Sequence, residues 1–134
     1  KLKYQLPETA PEKLEYMHLW DTKYAAKGGI TLLLARTTDN QLNLNLSIGN
    51  GEAVEGFQLK NVALGDGKWH ELAIRLGEDN KLEILIDGAV VKTFLLAGTP
   101  AAAVQRLTVG DRVASSYGAF TGLIDDVKLT VPKK

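Results

Sequence analysis

A chain of 134 residues suits one domain, residues 1–134, burying about two-thirds of its unfolded surface. A hydrophobic content of 45% with 24% charged residues is the balance of an ordinary globular protein. Lys+Arg 16 against Asp+Glu 16 leaves no formal charge, which argues against a nucleic-acid binder or a polyanion-steering field. There is no cysteine, so disulfides and thiolate-bound zinc are excluded. No apolar run approaches the ~20 residues of a helical membrane span.

Residues 1–6 read as a short edge strand, punctuated by Pro7 and Pro11. Residues 14–20 fit two patterns. As a strand, Leu14, Tyr16, His18 and Trp20 share a face; as a helix, Thr9 and Glu12 form a capping box. The strand is preferred, because the rest of the chain is β-patterned. A polar loop over 21–29 precedes the continuous apolar run 30–35, the mark of a strand buried on both faces. Leu42, Leu44, Leu46 and Ile48 then alternate with Asn43, Asn45 and Ser47, a half-buried strand. Weaker strands over 54–62 follow the Gly49-Asn50-Gly51 turn.

Residues 65–94 carry the densest signal. Leu72, Ile74 and Leu76 alternate with Glu71, Ala73 and Arg75, and Leu82, Ile84 and Ile86 repeat the pattern. Matching the two apolar sets face to face puts Arg75 opposite Glu83. Asp87-Gly88 is a type I′ hairpin signal, since both central residues need φ > 0. An uninterrupted register across that turn puts Glu83 opposite Lys92 as well. A small-residue loop at 98–103, a short strand at 107–110, a loop at 111–119 and a closing strand over 120–131 complete the chain, with Val127, Leu129 and Val131 on one face. Many short strands with regular turns and no firm helix predict an all-β, antiparallel two-sheet β-sandwich of jelly-roll type.

Three elements carry a family resemblance. Asp66-Gly67-Lys68-Trp69-His70-Glu71-Leu72, the strand and turn 82–88, and Phe120-Thr121-Gly122-Leu123-Ile124-Asp125-Asp126-Val127 resemble, in order, elements of laminin G-like domains. Thrombospondin N-terminal-like domains and other concanavalin A-like jelly rolls share much of this pattern. The missing C-terminal disulfide departs from many animal laminin G-like domains. The resemblance implies that Trp69 packs inward, although its parity is opposite to that of Leu72, Ile74 and Leu76. A bulge near His70, or a place at the end of the sandwich, would reconcile the two.

Catalytic chemistry finds little support. His70 reads as a structural hydrogen-bonding group and His18 as a partly buried one. Ser115 and Ser116 lack a nucleophile elbow, and Gly65-Asp66-Gly67-Lys68 lacks phosphate-loop spacing. The acids at Glu78-Asp79, Glu83 and Asp125-Asp126 do not assemble into the facing pair that a glycosidase needs. The resemblance implies a non-catalytic module, extracellular or at the cell surface, binding a glycan or an extracellular protein through rim loops. Its targeting segment would lie outside this chain. The ligand-binding candidates are Arg112, Ser115, Ser116 and Tyr117. The resemblance also implies a Ca²⁺ rim site, for which Asp39 or Asn40 and Asp111 match loosely; ordinary turn chemistry accounts for the same residues. A glycan-active enzyme of glucanase or lyase type on a related jelly roll, and a structural or designed sandwich without ligand, are the alternative readings.

Overall fold

The computed structural model describes residues 1–114 and 117–130. Eleven strands account for its regular structure: β1 (Leu2–Gln5), β2 (Glu15–Asp21), β3 (Gly28–Arg36), β4 (Leu42–Asn50), β5 (Val54–Leu59), β6 (Asp66–His70), β7 (Leu72–Leu76), β8 (Lys81–Ile86), β9 (Ala89–Leu95), β10 (Thr108–Val109) and β11 (Leu123–Ile124). Every strand pairing is antiparallel. Among the described residues no helix is long and apolar enough to cross a membrane.

Two layers enclose one core. The first is the sheet β10-β2-β3-β4-β5. The second is built from β11-β1-β6 and β7-β8-β9. These two join along one line of chain, because β6 runs on into β7 through Glu71. The Glu71 N–H donates to Asp87 Oδ1 at 2.9 Å, and its carbonyl accepts the Asp87 N–H at 2.9 Å. Leu34, Leu44, Leu46 and Ile48 from the first layer meet Leu2, Tyr4, Leu82 and Ile84 from the second. Phe57 and Phe94 close the sandwich on one side, ring centroids 4.8 Å apart, and Tyr4 and Phe120 do so elsewhere at 5.7 Å. The alternation of apolar residues in β4 therefore points Leu42 to Ile48 inward, and leaves Asn43, Asn45 and Ser47 on the outer face.

The expected β7–β8 register is present: Leu72↔Ile86, Ile74↔Ile84, Arg75↔Glu83 and Leu76↔Leu82. Arg75 Nε lies 3.0 Å from Glu83 Oε1. Leu82 and Ile84 are fully buried, Leu72, Ile74 and Ile86 pack against them, and Leu76 at the strand end is 41% exposed. Asp87 and Gly88 take φ of 52° and 83°, as a two-residue hairpin requires.

Four expectations are corrected. First, Glu83 faces Thr93 and not Lys92, because β9 carries a bulge that leaves Val91 unpaired. The bulge sets Phe94 opposite Leu82, so that an aromatic ring and not a threonine enters the core. Second, residues 14–20 form a strand but do not keep one parity. A bulge between His18 and Trp20 turns Trp20 towards the core opposite Leu32, and Leu14 precedes the strand, exposed. Third, Trp69 is 46% exposed. The irregularity in this pairing falls between Lys3 and Gln5, before Trp69; from there Trp69 pairs with Lys3 and His70 with the buried Leu2, so plain strand parity turns the indole outward. Fourth, among the described residues of the closing segment only Leu123–Ile124 pair in a strand, with β1. Asp126 then adopts φ 55°, the chain leaves the ladder, and Val127 and Leu129 are exposed. Val131 lies outside the described residues.

Candidate functional site

The outer face of the five-stranded sheet carries an open furrow of mixed polar and apolar lining. Cross-strand register lines up Thr31, Ser47 and Gly56 in one row, and Leu33, Asn45 and Gln58 in the next. These rows floor a hollow of about 470 Å³. A second hollow of about 300 Å³ adjoins it, lined by His18, Asp21, Tyr24, Thr31, Ser47 and Arg112. Thr31 and Ser47 belong to both, so the two form one furrow crossing β3 and β4. Within it, Gln58 Nε2 donates to Asn45 Oδ1 at 2.9 Å. His18 is 5% exposed, and its Nδ1 lies 3.2 Å from the Gly118 carbonyl. Only a donor satisfies that contact, so a neutral ring places its lone pair on Nε2.

Asp21 builds one end of the furrow. The bulge in β2 sets it opposite Thr31 on the outer face, where it is nonetheless fully buried. Its Oδ1 accepts the Thr31 hydroxyl at 2.7 Å and the N–H groups of Lys23 and Tyr24 at 3.0 Å each. Its Oδ2 accepts the Val113 N–H at 3.0 Å. Burial works to raise the pKa of this carboxyl, but the four hydrogen bonds outweigh it and hold the pKa below the ordinary value. Lys23, also buried, donates Nζ–H to the carbonyls of Tyr24 and Ala26. Burial lowers its pKa, with Asp21 opposing. One carboxylate thus ties the β2–β3 loop to residue 113, and the 1%-exposed Val113 seats that loop.

The loop so anchored displays Arg112. Its guanidinium lies 4.9 Å from the centre of the Tyr24 ring and 4.7 Å from that of Tyr117. Contacts of this kind are worth ~0.5–1 kcal/mol each at exposed sites. Asp111 Oδ1 accepts the N–H of Arg112 at 2.7 Å and of Tyr117 at 3.2 Å, folding the loop back so that both rings flank the cation. Of the four residues expected to bind ligand, the structure brings Arg112 and Tyr117 together. Ser115 and Ser116 lie outside the described residues.

The residues expected at a Ca²⁺ rim lie in two separate loops, each with its own hydrogen bonds. Asn40 Oδ1 accepts the Arg36 Nε–H at 3.0 Å, and Nδ2 donates to the Pro7 carbonyl at 2.8 Å. Its turn follows Arg36, whose β2 partner is Glu15. The Asp111 loop joins β2 at its other end, where Gly110 N–H meets the Leu19 carbonyl and Val113 N–H meets Asp21. Asn40 is thus held in its own turn by Arg36 and Pro7, and Asp111 in its own loop by the N–H groups of Arg112 and Tyr117. Among the described residues no group of three or more His, Cys, Asp or Glu is arranged to hold a metal ion.

His70 is the structural group expected, held twice over. Its Nδ1 lies 2.7 Å from Asp87 Oδ2 and its Nε2 lies 2.7 Å from Asp66 Oδ1. The furrow residues Asp21, Tyr24, Thr31, Asn45, Ser47 and Gln58 escaped sequence reasoning. The alternation in β4 was a signal for Asn45 and Ser47, since it names the polar face; nothing local marks Asp21 as buried.

With this geometry established, comparison with known proteins gives two findings and one absence. A laminin G-type family model, described as the concanavalin A-like lectin/glucanases superfamily, matches residues 10–130. A solved structure of the mouse laminin alpha1 chain, domains LG4-5, aligns at 16% identity with a TM-score of 0.44, covering 92% of this chain and 36% of that one. No curated protein matches. The family model spans most of the sequence, and the chain belongs to the laminin G-like branch of the concanavalin A-like lectin/glucanases superfamily.

Proposed function

We propose that this domain is a non-catalytic recognition module of the extracellular space or cell surface, and that its ligand is a glycan lying in the furrow across β3 and β4. The observation that carries this reading is the continuity of the two hollows through Thr31 and Ser47. It gives an elongated trough whose floor sets hydroxyls and amides beside Leu33 and Phe57, with the Tyr24–Arg112–Tyr117 stack at one end. Hydroxyl and amide groups match the donors and acceptors of a sugar, and a few fixed polar groups in a concave site confer orientation. Loops on a rigid sandwich are where recognition residues sit. The only carboxylate among the described lining residues is Asp21, whose oxygens are saturated by four donors. A glycosidase needs two carboxyls facing one cleft, so the furrow supports binding and not hydrolysis.

A glycan array run with and without Ca²⁺, followed by the same array with Ser47→Trp, tests this. Binding that is retained without Ca²⁺ and lost when the indole fills the junction is the expected result. Binding unaffected by Ser47→Trp moves the ligand elsewhere, and capture of extracellular proteins without any glycan replaces the reading.

A further inference from the structure

The Asp66–His70–Asp87 cluster sits at the one place where the second layer is jointed. Asp66 opens β6, Asp87 makes the β8–β9 turn, and between them β6 passes into β7. The imidazole is well enclosed, its side chain 12% exposed, while the carboxylates are about half exposed. Asp66 and Asp87 are the charged groups that act on it; β1 presents the apolar Leu2 across the strand. Both ring nitrogens lie 2.7 Å from carboxylate oxygens, and carboxylates only accept. Both nitrogens must donate, so this arrangement is complete only with an imidazolium.

The two arms differ. Asp87 gives His70 its own oxygen, Oδ2, and keeps Oδ1 for the Glu71 N–H. Asp66 offers one oxygen, Oδ1, to both His70 and the Lys68 N–H. A neutral ring has a single N–H, and the uncontested acceptor retains it. Nε2 then turns a lone pair on Asp66, and the Gly67 kink (φ 76°) inside β6 loses this side-chain tether, while Asp66 stays paired with Gln5 of β1.

We infer that His70 is a proton-operated latch. Charged, it binds the Asp66 side chain at the start of β6 and the β8–β9 turn to one seam; neutral, it releases the first and keeps the second. The pKa directions agree. Asp87 first, and then Asp66, raise that of His70 against desolvation, and His70 is the largest cause lowering both carboxyls. A raised imidazole adds stability that is full below its ordinary value of about 6.5 and is lost as pH rises through the folded value. The lowered carboxyls add stability that is present above about 3.9 and is lost on acidification through theirs. The latch is therefore closed in the window between, and its physiological response is to alkaline pH.

The test is an NMR titration of the full chain from pH 5 to 9. It follows the His70 ring nitrogens and the exchange of the Lys68 and Glu71 amides, corrected for the intrinsic effect of pH. The expected neutral form is the Nδ1–H tautomer. Lys68 protection should fall roughly five-fold, the worth of one hydrogen bond, with the midpoint of the ring, while Glu71 holds. Asp66→Asn keeps an acceptor for Lys68 but removes the charge, so the His70 midpoint should fall and the Lys68 response should vanish. An Nε2–H neutral tautomer, or Lys68 protection that is flat through the ring's midpoint, overturns the inference. The tautomer is read on the parent protein and stands even if the variant fails to fold.

Discussion

Asp21→Ala removes one side chain and strands four donors. One of them, the N–H of Tyr24, belongs to a residue that is 43% exposed and that water can reach. The other three cannot be rewetted cheaply, since Val113 is 1%, Lys23 5% and Thr31 9% exposed. At ~1–3 kcal/mol for each buried donor left unpaired, the expected loss is about 4 kcal/mol. With a urea m-value of ~2 kcal/mol/M, the unfolding midpoint should drop by about 2 M. Thr31→Val keeps the shape and removes only the hydroxyl, and should cost about 1 kcal/mol. The lowered Asp21 pKa adds a second signature. Its contribution is present above the ordinary carboxyl value and disappears as pH falls through the folded value, so the variant's stability should vary less with pH on the acid side. A midpoint shift below about 0.5 M would show that solvent or a neighbouring group replaces the carboxylate, and that the loop is not held by it.

Leu82→Ala, at a fully buried site, should cost ~2–5 kcal/mol in the same assay. Trp69→Ala should cost under ~1 kcal/mol, because the indole stands on the outer face; a loss of core size there would mean that the ring is buried in solution. Arg75→Ala and Glu83→Ala should be coupled at low salt and independent at 1 M salt, as an exposed pair implies; coupling that survives salt would refute the open geometry.

The residues that could be read correctly are those whose neighbours follow from parity alone. Arg75 opposite Glu83 needed only the alternation of two strands and the length of the turn between them. The same reasoning failed one strand later, at Lys92, because a single unpaired Val91 shifts everything after it and no local signal announces a bulge. Trp69 shows the reverse. Its parity pointed outward and was correct, while the expectation brought by family resemblance pointed inward. The furrow was half legible: the polar face of β4 was written in its alternation, but Asp21 joins it through a second bulge and a contact with Val113, 92 residues away. A carboxylate's burial depends on such distant donors, and sequence shows only that it lies in a polar loop.

The bulge in β9 also bears on how copies of this domain coexist. Among the described strands β9 is the last of its sheet, and Val90, Val91 and Leu95 lie exposed along it. A straight, apolar border of this length is a template for a foreign strand. The unpaired Val91 breaks the rhythm of free N–H and carbonyl groups that an incoming strand would have to match. One residue on, Lys92 shares the inner face with Ile84, its ammonium 5.6 Å from the centre of the Phe94 ring. A strand docking there would have to bury that cation between two sheets. With a formal charge of zero, copies of the chain have no net repulsion to keep them apart. Polymerisation is thus opposed locally, by one misplaced valine and one lysine, at the border where it would begin.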